Sequence, residues 1–146
     1  MAAQIMNAVV VDASVWVSRL MPQESHHTIS SRWMTEFTIS GGLFVAPIFL
    51  LVEVAAAIAR QSGQASLAQK AVEDLKNGEA IQLVALDSVV VQAAINAASD
   101  LQLRAGDATY VAVAYRLHLP LVSWDKEQLH RASSLITTYS PESYPF

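Results

Sequence analysis

Cysteine is absent from this chain of 146 residues, and only 15% of its residues are charged. Without cysteine there is no thiol nucleophile and no cysteine-based zinc site, and the composition is compatible with a reducing compartment. A chain of this length buries about two thirds of the surface that its unfolded form exposes, so crosslinks are not needed for folding. We therefore expect a single domain over residues 1–146.

The chain also lacks several motifs that identify common enzyme classes. Gly41-Gly42 lies outside any GxGxxG or GxxxxGK[ST] context, so it predicts a turn and not a phosphate-binding loop. No GxSxG motif is present, which argues against an α/β-hydrolase. Nucleotide-binding and serine-hydrolase functions are therefore disfavoured.

No segment has the composition of a secretory signal or of a membrane span. The amino terminus, MAAQIMNAVVVDAS, lacks the basic start and apolar run of a signal. The most apolar stretch, FVAPIFLLVEVAAAIA, is interrupted by Pro47 and Glu53 and is shorter than the ~20 residues of a membrane helix. We expect a cytoplasmic protein without a membrane segment.

Basic residues are too few for a simple nucleic-acid-binding protein. Nine Lys and Arg stand against thirteen Asp and Glu, which gives a formal net charge of −4. An enzyme acting on phosphodiesters stays possible, because bound cations reverse the charge of a site. The hydrophobic content of 53% is high for a small monomer, so we expect a partner or a second copy to cover apolar surface.

Short β-branched runs alternate with longer helical patterns, which predicts an α/β domain with a largely parallel sheet. Strands are predicted at 8–11, 43–46, 81–86, 121–123 and 135–138. Helices are predicted at 25–38, at 47–60 with Pro47 as the first residue and Gly63 near the end, at 88–101 with Asp87 as N-cap, and at 108–117. One more helix, with Leu67, Ala71, Val72 and Leu75 on its apolar face, is predicted to end at Asn77-Gly78.

Four carboxylates lie among apolar residues. They are Asp12 in VVVDASVWV, Glu53 in FLLVEVAAAIA, Asp107 in RAGDATYVAVA and Asp125 in PLVSWDKEQL. An ionised carboxylate is costly to desolvate unless it is paired or binds a cation, so a shared divalent metal is the hypothesis. Asp12 and Asp125 follow the first and fourth strands, whose carboxyl ends are where open α/β sheets bind ligands. The two acids meet if those strands are neighbours.

Each acid also has a simpler explanation. Asp12, Asp107 and Asp125 stand at predicted helix starts, where Asp commonly caps backbone N–H groups. Glu53, about six residues into its predicted helix, is too deep to cap and could instead pair with Arg60. Capping explains three positions and leaves Glu53 unexplained, which favours the shared site.

In these motifs the chain resembles the PIN-domain ribonucleases, and among them the VapC toxins of bacterial VapBC toxin–antitoxin modules. The resemblance is carried by VVVDAS, LLVEVAAAIAR, RAGDATYVAVAYRL and LPLVSWDKEQL, which place the four acids in the family's order. Ser123 departs from the pattern, because a Thr is frequent two positions before the last Asp; the hydroxyl is retained.

The resemblance implies a three-layer α/β/α fold with a central, mainly parallel sheet of four to five strands, in which strands one and four are adjacent. It implies an endoribonuclease dependent on Mg²⁺ or Mn²⁺, which hydrolyses RNA phosphodiester bonds. It also implies a homodimer, and a cognate VapB-like antitoxin that inhibits the enzyme.

The residue chemistry agrees with such a metal. Oxygen ligands without Cys or a positioned His pair favour Mg²⁺ or Mn²⁺ over Zn²⁺. We expect Asp12 and Asp107 to ligate directly, Asp125 to do so next, and Glu53 to act through water or as a general base.

Residues next to the four acids are weaker candidates for a role in the site. Ser14 and Ser123 could orient a carboxylate. Arg104 and Lys126 could hold substrate phosphates, but solvated surface charge is the favoured interpretation of both side chains. Trp124 and the four histidines are interpreted as packing or surface residues.

Two alternatives remain at this point. One is another metal-dependent phosphohydrolase, such as a flap-type DNA nuclease or a small-molecule phosphatase. The haloacid-dehalogenase phosphatases are disfavoured because Asp12-Ala13-Ser14 lacks their second Asp. The other is a non-enzymatic interaction module whose acids only cap helices.

Overall fold

The computed structural model describes residues 7–146. The strands are β1 (Ala8–Val11), β2 (Leu43–Pro47), β3 (Ile81–Val84), β4 (Leu121–Val122) and β5 (Thr138–Tyr139). The helices are α1 (Ala13–Leu20), α2 (His27–Ile39), α3 (Leu50–Ser62), α4 (Ala65–Lys76), α5 (Ser88–Leu101), α6 (Ala105–Leu117) and α7 (Lys126–Ala132). Residues 1–6, part of the segment used to argue against a secretory signal, lie outside the described residues.

The five strands form one parallel sheet in the order β3-β2-β1-β4-β5. The chain first builds outward from β1 through β2 to β3, and then returns to the other side of β1 with β4. The order of connection therefore reverses between β1 and β4, which is the switch point where open parallel sheets bind ligands. The predicted adjacency of strands one and four is confirmed.

Helices cover both faces of the sheet, so the three-layer α/β/α architecture is confirmed. The valines of β1 are no more than 1% exposed, as expected for a central parallel strand that is covered on both faces. Helix α6 lies across β1, β2 and β4 and is apolar nearly all round, with Tyr110 and Val111 fully buried. Helices α1 and α2 contribute Trp16, Trp33 and Phe37 to an aromatic cluster around Phe44 of β2.

Four strand predictions were wrong in their bounds: β2 extends one residue further, to Pro47, β4 ends one residue earlier, at Val122, and β3 and β5 differ by more. The third strand ends at Val84 and not at 86, because its last pairing partner is Pro47, where β2 also ends. The fifth strand is Thr138–Tyr139 and not 135–138. Leu135 and Ile136 instead donate backbone hydrogen bonds to the Ala132 carbonyl and close the turn after α7.

Helix starts were the less accurate part of the helix predictions. Pro47 does not open α3: it is the buried last residue of β2, and the helix begins at Leu50. Helix α6 begins at Ala105, three residues earlier than predicted. Helix α5 is confirmed at Ser88–Leu101, with the Asp87 carboxylate accepting from the Val90 N–H at 2.9 Å.

The apolar face predicted for α4 was wrong at Leu67, which is 47% exposed, whereas Leu75 is buried. Within residues 7–146, no helix is long and apolar enough to cross a membrane.

We predict that Leu121→Ala lowers the free energy of unfolding by roughly 2–5 kcal/mol, because it removes a fully buried side chain from β4 at the centre of the fold. The matched control, Leu67→Ala on the exposed face of α4, should change it by less than about 0.5 kcal/mol. Urea unfolding followed by circular dichroism measures both. Equal effects of the two substitutions would contradict this account of the core.

Candidate active site

The site lies at the carboxyl ends of β1 and β4, beside the first turns of α3 and α6. The Asp12 N–H donates to the Val122 carbonyl at 3.0 Å, so the end of β1 is held against β4. Electrostatic repulsion links Asp12 to Glu53, Asp107 and Asp125. The structure thus brings all four predicted acids to one edge of the sheet.

Asp12 is the most buried of the four acids, with 6% of its surface exposed. Its Oδ2 accepts from the Ser14 N–H at 2.9 Å, which makes it the N-cap of α1, and its Oδ1 accepts from Gln128 Nε2 at 3.2 Å. Burial raises the pKa of Asp12, and these hydrogen bonds oppose that increase. The residue both caps a helix and faces the acidic cluster.

Glu53 is the fourth residue of α3, closer to the helix start than predicted, because α3 begins at Leu50. Its Oε1 accepts from the Tyr110 hydroxyl at 2.7 Å. A Cβ on Gly106 would lie 3.4 Å from Glu53 Oε2, so the first turn of α6 faces this carboxylate oxygen. Burial, followed by repulsion from Asp12 and Asp107, raises the pKa of Glu53 to about 7. The alternative pairing of Glu53 with Arg60 is not among the salt bridges of residues 7–146.

Asp107 is the third residue of α6 and does not cap it, because the N-cap position belongs to Arg104. The capping explanation predicted for this acid is therefore wrong. Burial is the main cause that raises the pKa of Asp107 to about 6, and repulsion from Asp12 and Asp125 adds to it. The nearby Arg104 lowers this pKa, which places one cation close to the cluster.

Asp125 caps α7, since its Oδ1 accepts from the Gln128 N–H at 3.1 Å. Its own N–H donates to Ser123 Oγ at 3.0 Å. Ser14 Oγ lies 3.4 Å from Ser123 Oγ and accepts from the Trp124 N–H at 3.1 Å. Both serines therefore hold the loop after β4 against the loop after β1.

Trp124 is a packing residue, as predicted. Its ring stacks on His26 with centroids 3.8 Å apart, and its Nε1 donates to Ser30 Oγ at 2.8 Å. His27 Nδ1 lies 2.9 Å from the Ser18 carbonyl oxygen. Lys126 is exposed at the start of α7.

Sequence reasoning missed two residues that contact the acids, Tyr110 and Gln128. Tyr110 lies one turn after Asp107 on α6. The only sequence signal for its role is that a buried tyrosine hydroxyl usually needs a hydrogen-bond partner. Gln128 stands at the third position of α7, where a capping box would predict a bond back to the N-cap residue. Its side chain instead reaches Asp12, which only the assembled fold reveals.

A hard divalent cation suits this set of side chains. All four are oxygen donors, and no salt bridge among residues 7–146 involves any of them; Arg104 acts on Asp107 only from a longer distance. In that range, no three or more acidic or histidine side chains are placed so that they could hold a metal ion together. Mg²⁺ keeps several waters and takes one or two carboxylates, so it fits an incomplete set better than Zn²⁺ does.

The class of protein is defined by the sequence profile that the chain matches and by its three-layer parallel fold. The chain belongs to the PIN-domain family, whose sequence profile matches residues 9–134. A search of the curated protein sequences gave no significant match.

Solved structures share the fold at low sequence identity. FitAcB from Neisseria gonorrhoeae is 14% identical with a TM-score of 0.70, and the alignment covers 93% of this chain and 99% of that one. VapC20 from Mycobacterium tuberculosis, described as a toxin that cleaves the sarcin-ricin loop, is 16% identical with a TM-score of 0.68 over 88% and 96% of the two chains. VapBC2 from Rickettsia felis, solved with a DNA fragment from its promoter, is 10% identical with a TM-score of 0.68 over 91% and 98%.

We predict that the metal-free protein loses stability as the pH rises from about 4 to about 7. The pKa is raised by folding from 4.5 to about 7 for Glu53 and from 3.8 to about 6 for Asp107. In this range the unfolded chain binds fewer protons than the folded one, so each added pH unit favours unfolding. The stabilising contribution is complete below the unfolded values and is lost as the pH passes the folded ones.

Melting temperatures measured in EDTA from pH 4 to pH 8 test this. Glu53→Gln and Asp107→Asn should each flatten the decline, and Asp100→Asn on the exposed surface of α5 should leave it unchanged. If the melting temperatures of the wild type and of both site variants fall equally as the pH rises, these carboxyls do not destabilise the fold.

Proposed function

We propose that this protein is an endoribonuclease that depends on Mg²⁺ or Mn²⁺ and acts as the toxin of a toxin–antitoxin pair. The observation that carries the proposal is the convergence of four acids, none of them in a salt bridge among residues 7–146, at the switch point of the sheet. Such a cluster is costly to keep ionised unless a cation binds it. The reported RNA target of VapC20 supports RNA as the substrate here.

We assign Asp12 and Asp107 as the residues that hold the metal directly, with Asp125 next to them. When bound, a divalent metal would lower the pKa of a coordinated water and stabilise charge on the phosphoryl oxygens. Glu53, whose pKa is raised to about 7, is suited to take a proton from the attacking water near neutral pH. The Tyr110 hydroxyl holds Glu53 Oε1 in place and leaves Oε2 to face the first turn of α6.

Hydrolysis adds the water oxygen to phosphorus and breaks the bond from phosphorus to one ribose oxygen, which leaves with a proton as a hydroxyl. Arg104 stands beside Asp107 at the N-terminal end of α6 and is the basic side chain best placed to hold a substrate phosphate. The N-terminal end of α6 adds its positive dipole to the same place.

The remaining parts of the proposal concern partners and location. We propose a cognate VapB-like antitoxin as the inhibitor, in keeping with the toxin–antitoxin complexes among the structural neighbours. We place the protein in the cytoplasm, where an RNA substrate would be available. A second copy of the chain is proposed as a further partner.

We predict that RNA cleavage requires Mg²⁺ or Mn²⁺ and falls by at least about 100-fold in Asp12→Asn and in Asp107→Asn, because each loses a charged ligand worth several kcal/mol in the transition state. Asp87→Asn is the matched control, since Asp87 caps α5 as Asp12 caps α1, and Asn caps equally well. Initial rates on labelled RNA, with circular dichroism as the folding check, measure these effects.

Full cleavage in excess EDTA, or by folded Asp12→Asn protein, would rule the proposal out. The same assay run with DNA and with simple phosphate esters separates a ribonuclease from other phosphohydrolases. If calorimetry detects no binding of Mn²⁺, the four acids are not a metal site and the interaction-module alternative holds.

An exposed apolar face supports the proposed homodimer. Helix α5 exposes Val91 (42%) and Ile95 (53%) one turn apart, next to Leu86 (37%) in a shared groove with α6. Ile48 (47%) is also exposed, and its N–H donates to the Val84 carbonyl at the end of β3. Exposed aliphatic side chains grouped in this way are typical of an interface.

We predict that Ile95→Glu weakens the dimer by at least roughly 10-fold, because an unpaired carboxylate would be buried at the interface. The control is Ile39→Glu, which changes an 81% exposed isoleucine at the end of α2. Sedimentation equilibrium of the wild type and both variants gives the dissociation constants. A monomeric wild type, or equal behaviour of the two variants, would contradict the assignment of this face.

A further inference from the structure

We infer that Gln128 is a positioning residue, which fixes Asp12 and the first turn of α6 relative to one another through a single amide group. The inference rests on the proposed function in one respect only: it takes these acids to be the metal-binding ones. The geometry itself concerns how this chain holds its own carboxylates.

The Gln128 side chain is 1% exposed and lies between two elements that are far apart in sequence. Its Nε2 is 3.2 Å from Asp12 Oδ1 and 3.3 Å from the backbone carbonyl oxygen of Asp107. The two N–H bonds of one nitrogen are therefore directed at the end of β1 and at the first turn of α6. Gln128 Nε2 therefore holds Asp12 and the backbone at Asp107 at a fixed distance from each other.

The orientation of the amide follows from its neighbours. Gln128 Oε1 accepts from Ser123 Oγ at 2.7 Å, and the two atoms near Nε2, an oxygen of the ionised Asp12 carboxylate and the Asp107 carbonyl oxygen, are acceptors. A flipped amide would place its oxygen against a carboxylate and a carbonyl, and would leave the Ser123 hydroxyl proton facing an N–H. The amide oxygen is thus occupied inside the protein, so Gln128 does not serve as a metal ligand.

Ser123 fixes the direction of this hydrogen-bond chain. Its single hydroxyl proton is donated to Gln128, while its oxygen accepts from the Asp125 N–H at 3.0 Å. The backbone N–H of Gln128 in turn donates to Asp125 Oδ1 at 3.1 Å. Gln128 therefore contacts Asp12, Asp107 and Asp125, three of the four acids, through its side chain or its backbone.

The consequence for Asp12 is a carboxylate held at both oxygens. Oδ2 accepts from the Ser14 N–H and Oδ1 from Gln128, so the carboxylate cannot rotate without breaking a buried hydrogen bond. Gln128 is a neutral donor, so it orients the acid without supplying the positive charge that a cation would otherwise bring. Lys or Arg at this position would neutralise the cluster from within.

The test is Gln128→Met, which nearly preserves the volume and the backbone N–H but removes the side-chain donor. Outer-sphere partners of metal ligands typically contribute 10–100-fold, so we expect the Mn²⁺ dissociation constant to rise and kcat for RNA to fall by roughly this factor. KM for RNA should stay unchanged, because a buried side chain does not touch the substrate. The control is Gln69→Met on the exposed surface of α4.

A second variant, Ser123→Ala, keeps Gln128 but frees its amide oxygen, and it also removes the acceptor of the Asp125 N–H. It should shift the Mn²⁺ dissociation constant in the same direction by a smaller factor, which keeps the test valid if Gln128→Met folds poorly. If the variants melt at lower temperature but bind Mn²⁺ and turn over RNA as the wild type does, Gln128 is only a packing residue and the inference is overturned.

Crystal structures of the metal-free wild type and of Gln128→Met separate this inference from the proposed function. We expect the Asp12 carboxylate to rotate and the first turn of α6 to shift away from β1 in the variant. An unchanged Asp12 conformation and an unchanged α6 position would overturn the inference. A wild type that neither binds Mn²⁺ nor cleaves RNA would instead refute the proposed function, and the two structures would still decide the role of Gln128.

Discussion

The parallel pairing of β1 with β4 is the constraint on which the site depends. It places Asp12 beside the loop that carries Ser123 and Asp125, although more than a hundred residues separate them in the chain. Because β1 is central, its end also lies near the helices that follow β2 and precede β4. Glu53 and Asp107 lie in the first turns of those helices. One strand pairing therefore brings four separate segments of the chain to one edge of the sheet.

Neutral hydrogen-bond donors hold the acids in this arrangement. Tyr110 donates to Glu53, the Ser14 N–H and Gln128 donate to Asp12, and no cationic side chain bridges the cluster in residues 7–146. This arrangement keeps the carboxylates oriented while their repulsion and burial remain uncompensated. The apolar core around β1 and α6 offsets that cost.

The parts of the site that follow from local pattern were predictable. Asp12 and Asp125 follow β-branched runs, and the position after a strand fixes which edge of a parallel sheet a residue occupies. The start of α6 was not predictable to the residue, because Arg104, Ala105 and Gly106 carry no capping signal. Because α6 begins three residues earlier than predicted, Asp107 lies inside the helix and its carboxylate does not cap it.

The amino-acid sequence by itself determined the alternation of strands and helices, the four acids and the family to which the chain belongs, because each depends on residue types and spacing along the chain. Only the tertiary structure decided that Gln128 reaches Asp12 and that Tyr110 reaches Glu53. A side chain at the third position of a helix has several local partners within reach. Which of them it bonds to depends on the strand and helix that packing brings alongside, and that information is not local.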